Sequence, residues 1–331
     1  MIPFDSHLFS RFASMRILVI GDIILDHYIF GEVGRISPEA PVPVLTAETH
    51  KYVLGGAANV ALNIKAFKGQ VELIGRIGCD DAGNRIAELL KTNGIAFDTT
   101  FQQAAINTIF KTRIIARNQQ ICRIDHEQEG THYALEKKSL KSCLLKKIEQ
   151  CDSIIISDYA KGVLTPELVR AILKKAADHK VPVCIDPKPA HDLPLKKAYL
   201  LTPNRNEALQ MAGLAVDHKQ KLFPIELVCQ KIWKKYQPHF LVITLGKEGM
   251  IISTEGKVVY HIPTYARDVF DVSGAGDTVI ASLTLALAGG ASIDEAAHFA
   301  NLAAGVVISK IGTATATPEE LLAYHAEYVA H

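Results

Sequence analysis

Short apolar runs that stop at a glycine or a polar residue, each followed by a stretch of helical period, recur along most of this chain. The first is Arg16-Ile-Leu-Val-Ile-Gly21; others fall at 71–75, Ser153–Ser157, 181–186, 199–202 and Phe240–Thr244, with two more at 250–253 and 258–261. A strand that is apolar on both faces cannot lie against water, so these runs predict a predominantly parallel sheet with helices on both sides. Helical spacing is present at 56–67, 81–93, 165–179, 276–288, 294–309 and Pro318–Val329. Several of these stretches carry their own end signals. Gly94 stands just past one helix, and Thr165-Pro166-Glu167 combines an N-cap, a first-turn proline and an acid that complements the helix dipole. Thr317-Pro-Glu-Glu320 has the pattern of a capping box. The fold class is therefore α/β, doubly wound.

Two segments break that rhythm. Residues 27–54 are rich in Tyr, Ile, Phe and Val with prolines and glycines between, and show no helical period. Residues 106–126 contain a strand pair around Arg117-Asn-Gln119. Both are expected outside the main sheet, as a small β lid on a single domain that fills all 331 residues. With 48% hydrophobic residues and a net charge of +1, the chain has material for a large core and no basic excess for nucleic acid or an anionic membrane. Its paired lysines fall mostly on predicted helices with acids nearby, which reads as solvated helix faces. Six cysteines without CxxC spacing read as reduced thiols. No secretory h-region and no apolar stretch of membrane-spanning length occurs, so a cytoplasmic location is expected.

Chemistry concentrates in Asp271-Val-Ser-Gly-Ala-Gly-Asp277, which follows a strand and opens a helix of small apolar residues. Gly274, Ala275 and Gly276 let a ligand approach the backbone, and their N–H groups would converge at the positive end of that helix. Asp277 at the same mouth can take a proton from an attacking hydroxyl. A cradle for developing phosphoryl charge beside a carboxylate base is what phosphoryl transfer to an alcohol needs. The segment taken alone is equally a glycine-rich turn with an ordinary first-turn acid. Other phosphate motifs are missing: no G-x-x-x-x-G-K-[ST] occurs, and no G-x-G-x-x-G follows the first strand.

Together with Gly55-Gly-Ala-Ala-Asn59, the Gly274-Ala-Gly-Asp277 segment resembles the two signatures of the ribokinase-type (PfkB) carbohydrate kinases, in the right order over nearly the whole chain. The resemblance implies that Gly55, Gly56 and Asn59 touch sugar hydroxyls, that residues 274–276 form the anion hole and that Asp277 is the general base. Asn204-Arg205-Asn206-Glu207 resembles the family's N-x-x-E, which organises Mg²⁺ and the phosphates of ATP, Glu207 acting on the metal indirectly; read without the family it is a helix start. Thr244 and Gly246 resemble the nucleotide-side turn, and Asn301 lies on a helix that borders the adenine pocket in relatives. A monovalent cation such as K⁺ at Asp271 and near Gly312 is a further family feature.

A narrower resemblance concerns the substrate. Gly21-Asp-Ile-Ile-Leu-Asp26, Arg35-Ile-Ser-Pro-Glu-Ala-Pro-Val-Pro43, Arg117-Asn-Gln-Gln120, Ser157-Asp-Tyr-Ala-Lys-Gly162, Asp186-Pro-Lys188 and Leu201-Thr-Pro-Asn204 are similar to the kinase portion of bacterial heptose-7-phosphate kinase/adenylyltransferases. This implies ATP-dependent phosphorylation of D-glycero-β-D-manno-heptose 7-phosphate at its anomeric hydroxyl, feeding ADP-heptose for lipopolysaccharide. Asp26, expected at a strand end, would accept a sugar hydroxyl or simply close a turn. Lys188, Arg117, Arg35 and Arg113 are the cations available to the 7-phosphate. His27 departs from the arginine usual after that aspartate. The H-x-G-H motif of a nucleotidyltransferase domain is absent, so a stand-alone kinase or a piece of a longer one is expected. Kinases for fructose phosphates or nucleosides, and a non-catalytic sugar-phosphate-binding regulator, are the alternatives. In the family such lids often pair between subunits, which leads to a homodimer as the expected assembly.

Overall fold

A computed structural model describes residues 7–117, 119–128, 132–135, 138–215, 223–266, 269–310 and 312–329. Its centre is a nine-stranded sheet in the spatial order β15 (Lys257–Ile262), β14 (Met250–Thr254), β13 (Phe240–Thr244), β12 (Leu200–Leu201), β11 (Val183–Asp186), β10 (Ser153–Ser157), β1 (Arg16–Gly21), β4 (Gln70–Ile74) and β6 (Ala96–Phe97). Pairing is parallel from β13 to β6, while β14 runs antiparallel to both β13 and β15. Alternation within β1 shows why its run is apolar throughout: Ile17 and Val19 enter the core on one face, Leu18 and Ile20 the core on the other.

One face is covered by α1 (His7–Phe12), α2 (Ala57–Ala66), α3 (Asp81–Thr92), α8 (Ala275–Ala288), α9 (Ile293–Ile308) and α10 (Pro318–Val329). The other carries α4 (Lys138–Lys147), α5 (Pro166–His179), α6 (Arg205–Met211) and α7 (Ile225–Tyr236). The end signals at α5 and α10 do what their residue types suggest. Thr165 accepts from the Leu168 N–H, and Thr317 and Glu320 exchange both bonds of a capping box. No helix among the described residues is long and apolar enough to cross a membrane.

Between β1 and α2 the chain leaves the main sheet. A second sheet, in the order β3 (Pro43–Gly56), β2 (Ile23–Ile36), β8 (Ile109–Ala116) and β9 (Gln119–His126), is formed by two antiparallel hairpins joined by a parallel β2–β8 pair. Its first hairpin extends beyond the expected 27–54 at both ends. Asp26 consequently lies inside β2 and not at the end of the first strand, because Asp22 breaks the apolar run before Ile23. A two-stranded ribbon, β5 (Ile77–Gly78) with β7 (Gln102–Gln103), completes the strands.

The core beneath α1 and α9 is aromatic. The buried Phe299 ring meets Phe67 at 5.0 Å, Phe12 at 5.5 Å and Phe9 at 6.0 Å between centroids. Phe299→Ala should leave a cavity these rings cannot close and lower stability by about 3–5 kcal/mol. Chemical denaturation followed by circular dichroism checks this; a loss below ~1 kcal/mol would mean the cluster repacks.

Candidate active site

From β1 the sheet grows one way through β4 and β6 and the other way through β10 to β13, so β1 and β10 mark the point where strand order reverses. Ligands of open α/β sheets collect at the carboxyl ends of strands there. Asp22 follows β1 at that edge, and the loop at 158–163 follows β10.

Helix α8 points its N-terminus into the same place. Gly274 caps it with φ +80°, a left-handed conformation that glycine adopts without strain. A Cβ at Gly274 would also meet Asn59 Nδ2 at 2.8 Å, so this position excludes a side chain twice over. Gly276 is different: its φ is not left-handed, and a Cβ there would find nothing within 4 Å. That open space lies against the helix's first donors. Ala275 N–H is turned back to the Val272 carbonyl, which leaves the N–H groups of Gly276 and Asp277 as the helix's orphan donors.

Asp277 is buried beside them. Its Oδ2 accepts from Asn59 Nδ2 at 2.8 Å and its Oδ1 from the Tyr159 hydroxyl at 2.7 Å. Burial pushes its pKa up to about 6; the bonds from Asn59 and Tyr159 pull it down, and the Asp26 charge adds to the rise. Asn59 is set by α2, which begins after Gly56 (φ +58°) where Ala57 N–H reaches the Asp22 carbonyl. Asn63 Nδ2 holds the Asn59 carbonyl at 2.9 Å, and the Thr278 hydroxyl donates to Asn63 at 3.0 Å, so α2 and α8 are pinned together beside the carboxylate. Asn59 Oδ1 is buried without a hydrogen-bond partner among the described residues.

The small sheet supplies the opposite wall. Asp26 pairs with Arg113 from β8, whose guanidinium lies over the Tyr28 ring at 5.3 Å. Tyr28 meets the Thr313 hydroxyl at 3.1 Å, and Thr313 lines Gly274. Gly55 is glycine because a Cβ would fall 2.1 Å from Asp26 Oδ2. Of the expected phosphate-binding cations, only Arg113 stands on this wall with a charged partner. Arg117 is exposed at the β8–β9 turn with φ +47°, Arg35 is exposed near the end of β2, and Asn118 lies outside the described residues.

Lys188 is elsewhere. Its ammonium contacts Glu207 Oε1 at 3.1 Å. Asn204 and Glu207 form a full capping box on α6, the side chains bonding the N–H groups of Glu207 at 3.0 Å and Asn204 at 2.9 Å. The helix-start reading and the family motif thus describe the same two residues. Arg205 pairs with Glu248 at 2.6 Å, Asn206 is exposed, and Asn204 bridges to Thr244 at the end of β13. Gly246 takes φ +62° in the turn that follows, and Asn301 on α9 donates to the Pro263 carbonyl at 2.7 Å. Asp186 sits between the two halves; burial and then the charges of Glu207 and Asp277 hold its carboxyl well above the usual range. Asp271 accepts from Ser273 N–H at 2.9 Å and Gly312 N–H at 3.1 Å, tying together the loops before α8 and after α9.

A cavity of about 790 Å³, lined by Lys174, Lys180 and Trp233, is at the amino ends of the strands and holds none of these residues. The cluster around Asp277 therefore rests on its chemistry and not on cavity size.

A doubly wound sheet with a second sheet facing a helix N-terminus, a buried carboxylate between them, defines a ribokinase-like kinase scaffold. The description "pfkB family carbohydrate kinase" matches residues 15–320, and the chain belongs to that family. It is 42% identical over 306 residues to the bifunctional protein HldE of Helicobacter pylori, covering 92% of this chain and 65% of that one. The HldE of Pelobacter propionicus is 40% identical over 315 residues, covering 95% and 64%. The chain thus spans just under two thirds of these relatives. Escherichia coli phosphofructokinase-2 in complex with substrates and products superposes with a TM-score of 0.76 at 18% identity, over 95% of this chain and 99% of that one. Arabidopsis thaliana ribokinase complexed with ribose and ATP gives 0.70 at 19%, over 94% and 98%.

The raised pKa of Asp277 has a sign for stability. The folded chain binds a proton at Asp277 that the unfolded chain has released between about pH 4 and the native value of about 6, so this group erodes stability as pH rises through that window. Asp277→Asn is free of the effect and can keep both bonds if Asn59 turns its amide. Its stability relative to wild type should therefore grow from pH 4 to pH 7, by up to about 3 kcal/mol. Denaturant titrations at the two pH values test it; a constant difference would show that Asp277 titrates normally.

Proposed function

We propose that this chain is an ATP-dependent kinase that phosphorylates D-glycero-β-D-manno-heptose 7-phosphate at its anomeric oxygen, giving the 1,7-bisphosphate used for ADP-heptose and lipopolysaccharide. The observation that carries the kinase reading is the Asp277 carboxylate, fixed by Asn59 and Tyr159 beside the free N–H groups of α8. With a pKa near 6 it is ionised at neutral pH yet close enough in basicity to take a hydroxyl proton. As the sugar oxygen attacks the terminal phosphorus of ATP, the bond from that phosphorus to the bridging oxygen breaks, ADP leaves, and Asp277 receives the sugar oxygen's proton. The N–H groups of Gly276 and Asp277 take up the charge growing on the transferred phosphoryl. A regulator that only bound sugar phosphate would have no use for such a base. The heptose substrate is supported by the segments that resemble heptose-7-phosphate kinases, most of which surround this site.

On the sugar side, Asp26, Gly55, Gly56 and Asn59 face the hydroxyls, with Arg113 the cation nearest to them. Arg117 would have to reach inward from its turn. Lys188 stands with Glu207 and Asn204 and so suits the phosphates of ATP. Asp186 and Glu207 are hard oxygen donors whose mutual repulsion a divalent cation would offset, which fits Mg²⁺ held by few carboxylates and by phosphates. Mg²⁺ supplies charge neutralisation on the phosphates when bound. Asp271 and carbonyl groups near Gly312 are the atoms offered to K⁺, and Ile311 beside them lies outside the described residues.

Asp277→Asn should lower kcat by roughly 10²–10⁴ with little change in sugar affinity. Phosphorus NMR of the products formed from ATP, Mg²⁺ and heptose 7-phosphate decides the substrate. A new anomeric phosphate is expected; turnover only with fructose phosphates or nucleosides would shift the reading to another member of the family.

The small sheet is a lid in this reading, and its face away from Asp277 carries an aromatic stack edged by an exposed apolar residue that suits a partner. His27, Tyr52, Phe110 and His126 stack across all four strands, and Ile124 is 45% exposed beside them. A two-fold dimer through these sheets is the simplest closed arrangement. Sedimentation at micromolar concentration should show a dimer, and Ile124→Lys should shift it toward monomer; a wild-type monomer would remove the pairing.

A further inference from the structure

We infer that Tyr159 is the positioning residue of the phosphoryl-transfer site, its hydroxyl locking the Asp277 carboxylate toward the acceptor hydroxyl and keeping it ionised at neutral pH. The inference rests on Asp277 being the base, and nothing in the sequence motifs assigns Tyr159 a role.

Three features of the fold converge on that side chain. First, Asp22, fully buried at the end of β1, gives its carboxylate to the loop that carries Tyr159: it accepts from the N–H groups of Tyr159 at 3.1 Å, Lys161 at 3.1 Å and Val163 at 3.0 Å. Second, the loop is strained at the next residue. Ala160 has φ +54°, in the left-handed region a residue with a Cβ seldom visits, and Asp158 Oδ1 holds it there through the Ala160 N–H at 2.9 Å. His191 donates to the same carboxylate oxygen at 3.1 Å, and that bond raises the imidazole's pKa. Third, the hydroxyl so placed meets Asp277 at 2.7 Å, across 118 residues of sequence. A buried acid, a strained backbone and a second acid all act to hold one phenol in one place.

Its direction of action follows from charge. An ionised carboxylate only accepts, so Tyr159 is the donor. Burial and the charges of Asp277, Asp186 and Asp26 keep the phenol well above its ordinary pKa, so it remains protonated. The groups that face the pair are Asp26 with its Arg113 from the small sheet, Asp186 with Glu207 and Lys188 beyond it, and the neutral Asn59 from α2. Lys161, on the same loop, is turned to Glu127 at 2.7 Å. Tyr159 and Asn59 are thus the two donors that favour the ionised form of Asp277 against burial and like charge. Each leaves the oxygen it binds with a lone pair for the substrate hydroxyl.

Tyr159→Phe keeps the ring and removes the donor. The acid limb of the kcat/KM profile with ATP, Mg²⁺ and heptose 7-phosphate should move up by roughly one to two pH units. Activity should fall by about five- to fiftyfold at pH 6 and less than about threefold at pH 8.5, with KM for both substrates nearly unchanged. Placing 3-fluorotyrosine at position 159, a stronger donor in a native-sized ring, should move the limb the other way and serves if the Phe variant folds poorly. An acid limb unmoved in either variant, or a loss equal at every pH, would overturn the inference and leave Tyr159 as packing. Asp277→Asn separates the two readings: if that variant keeps its activity, the base assignment has failed before Tyr159 is judged.

Discussion

A carboxylate taken out of water at the mouth of α8 is the constraint around which the molecule is arranged. Burying an unpaired charge costs several kcal/mol, and a protein normally avoids it or neutralises the group. Here Asp277 is held between two hydrogen-bond donors and the orphan N–H groups of its own helix, which together offset part of that cost. The compensation is incomplete, as the pKa of about 6 shows. That residue of unfavourable energy is what raises the group's affinity for a proton, as the base role proposed for it requires.

The sheet serves this arrangement by separating two tasks. Its interior is apolar on both faces, while the carboxyl ends of β1, β10 and β11 carry Asp22, Asp158 and Asp186. Asp22 and Asp158 shape the loop after β10, whereas Asp186 and Glu207 face the site. Acids are therefore more numerous at this edge than structure alone requires. Lys188 beside Glu207 at 3.1 Å and the Thr202 hydroxyl donating to Asp186 at 3.0 Å relieve part of their mutual repulsion.

Residues whose backbone or spacing had a local reason were legible from the chain. Gly274 needs a left-handed φ, Thr165 and Thr317 cap helices, and the runs at β1, β10 and β13 can lie only in a covered sheet. Asp26 was misplaced because Ile23-Ile-Leu25 continues the apolar run of β1 in sequence, although the buried side chain of Asp22 turns the chain into a different sheet. Arg113 and Arg117 were indistinguishable until the β8 register put Arg113 beside Tyr28, from where its guanidinium reaches Asp26. Tyr159 stood out only as part of the Ser157–Gly162 segment that resembles heptose kinases, since its role depends on a contact with α8 that no local pattern encodes. Helix α7 lacked a start signal for a physical reason: Pro224 precedes it and no side chain caps it.

The small sheet joins these elements through its period of two. In β2, Asp26 and Tyr28 face the site while His27 faces away, so one strand builds both a polar wall and an aromatic outer surface. The same alternation in β8 sets Arg113 inward and Thr112 outward, where Thr112 meets His27. A one-residue slip between β2 and β8 would put His27 where Asp26 stands and expose the charge pair on the apolar side. Register is consequently fixed twice, by the ion pair within and by the ring stack without. A partner pressed on the outer rings would stiffen the strands that carry Asp26 and Arg113, so the proposed sugar contacts and the proposed subunit pairing would use opposite faces of one sheet.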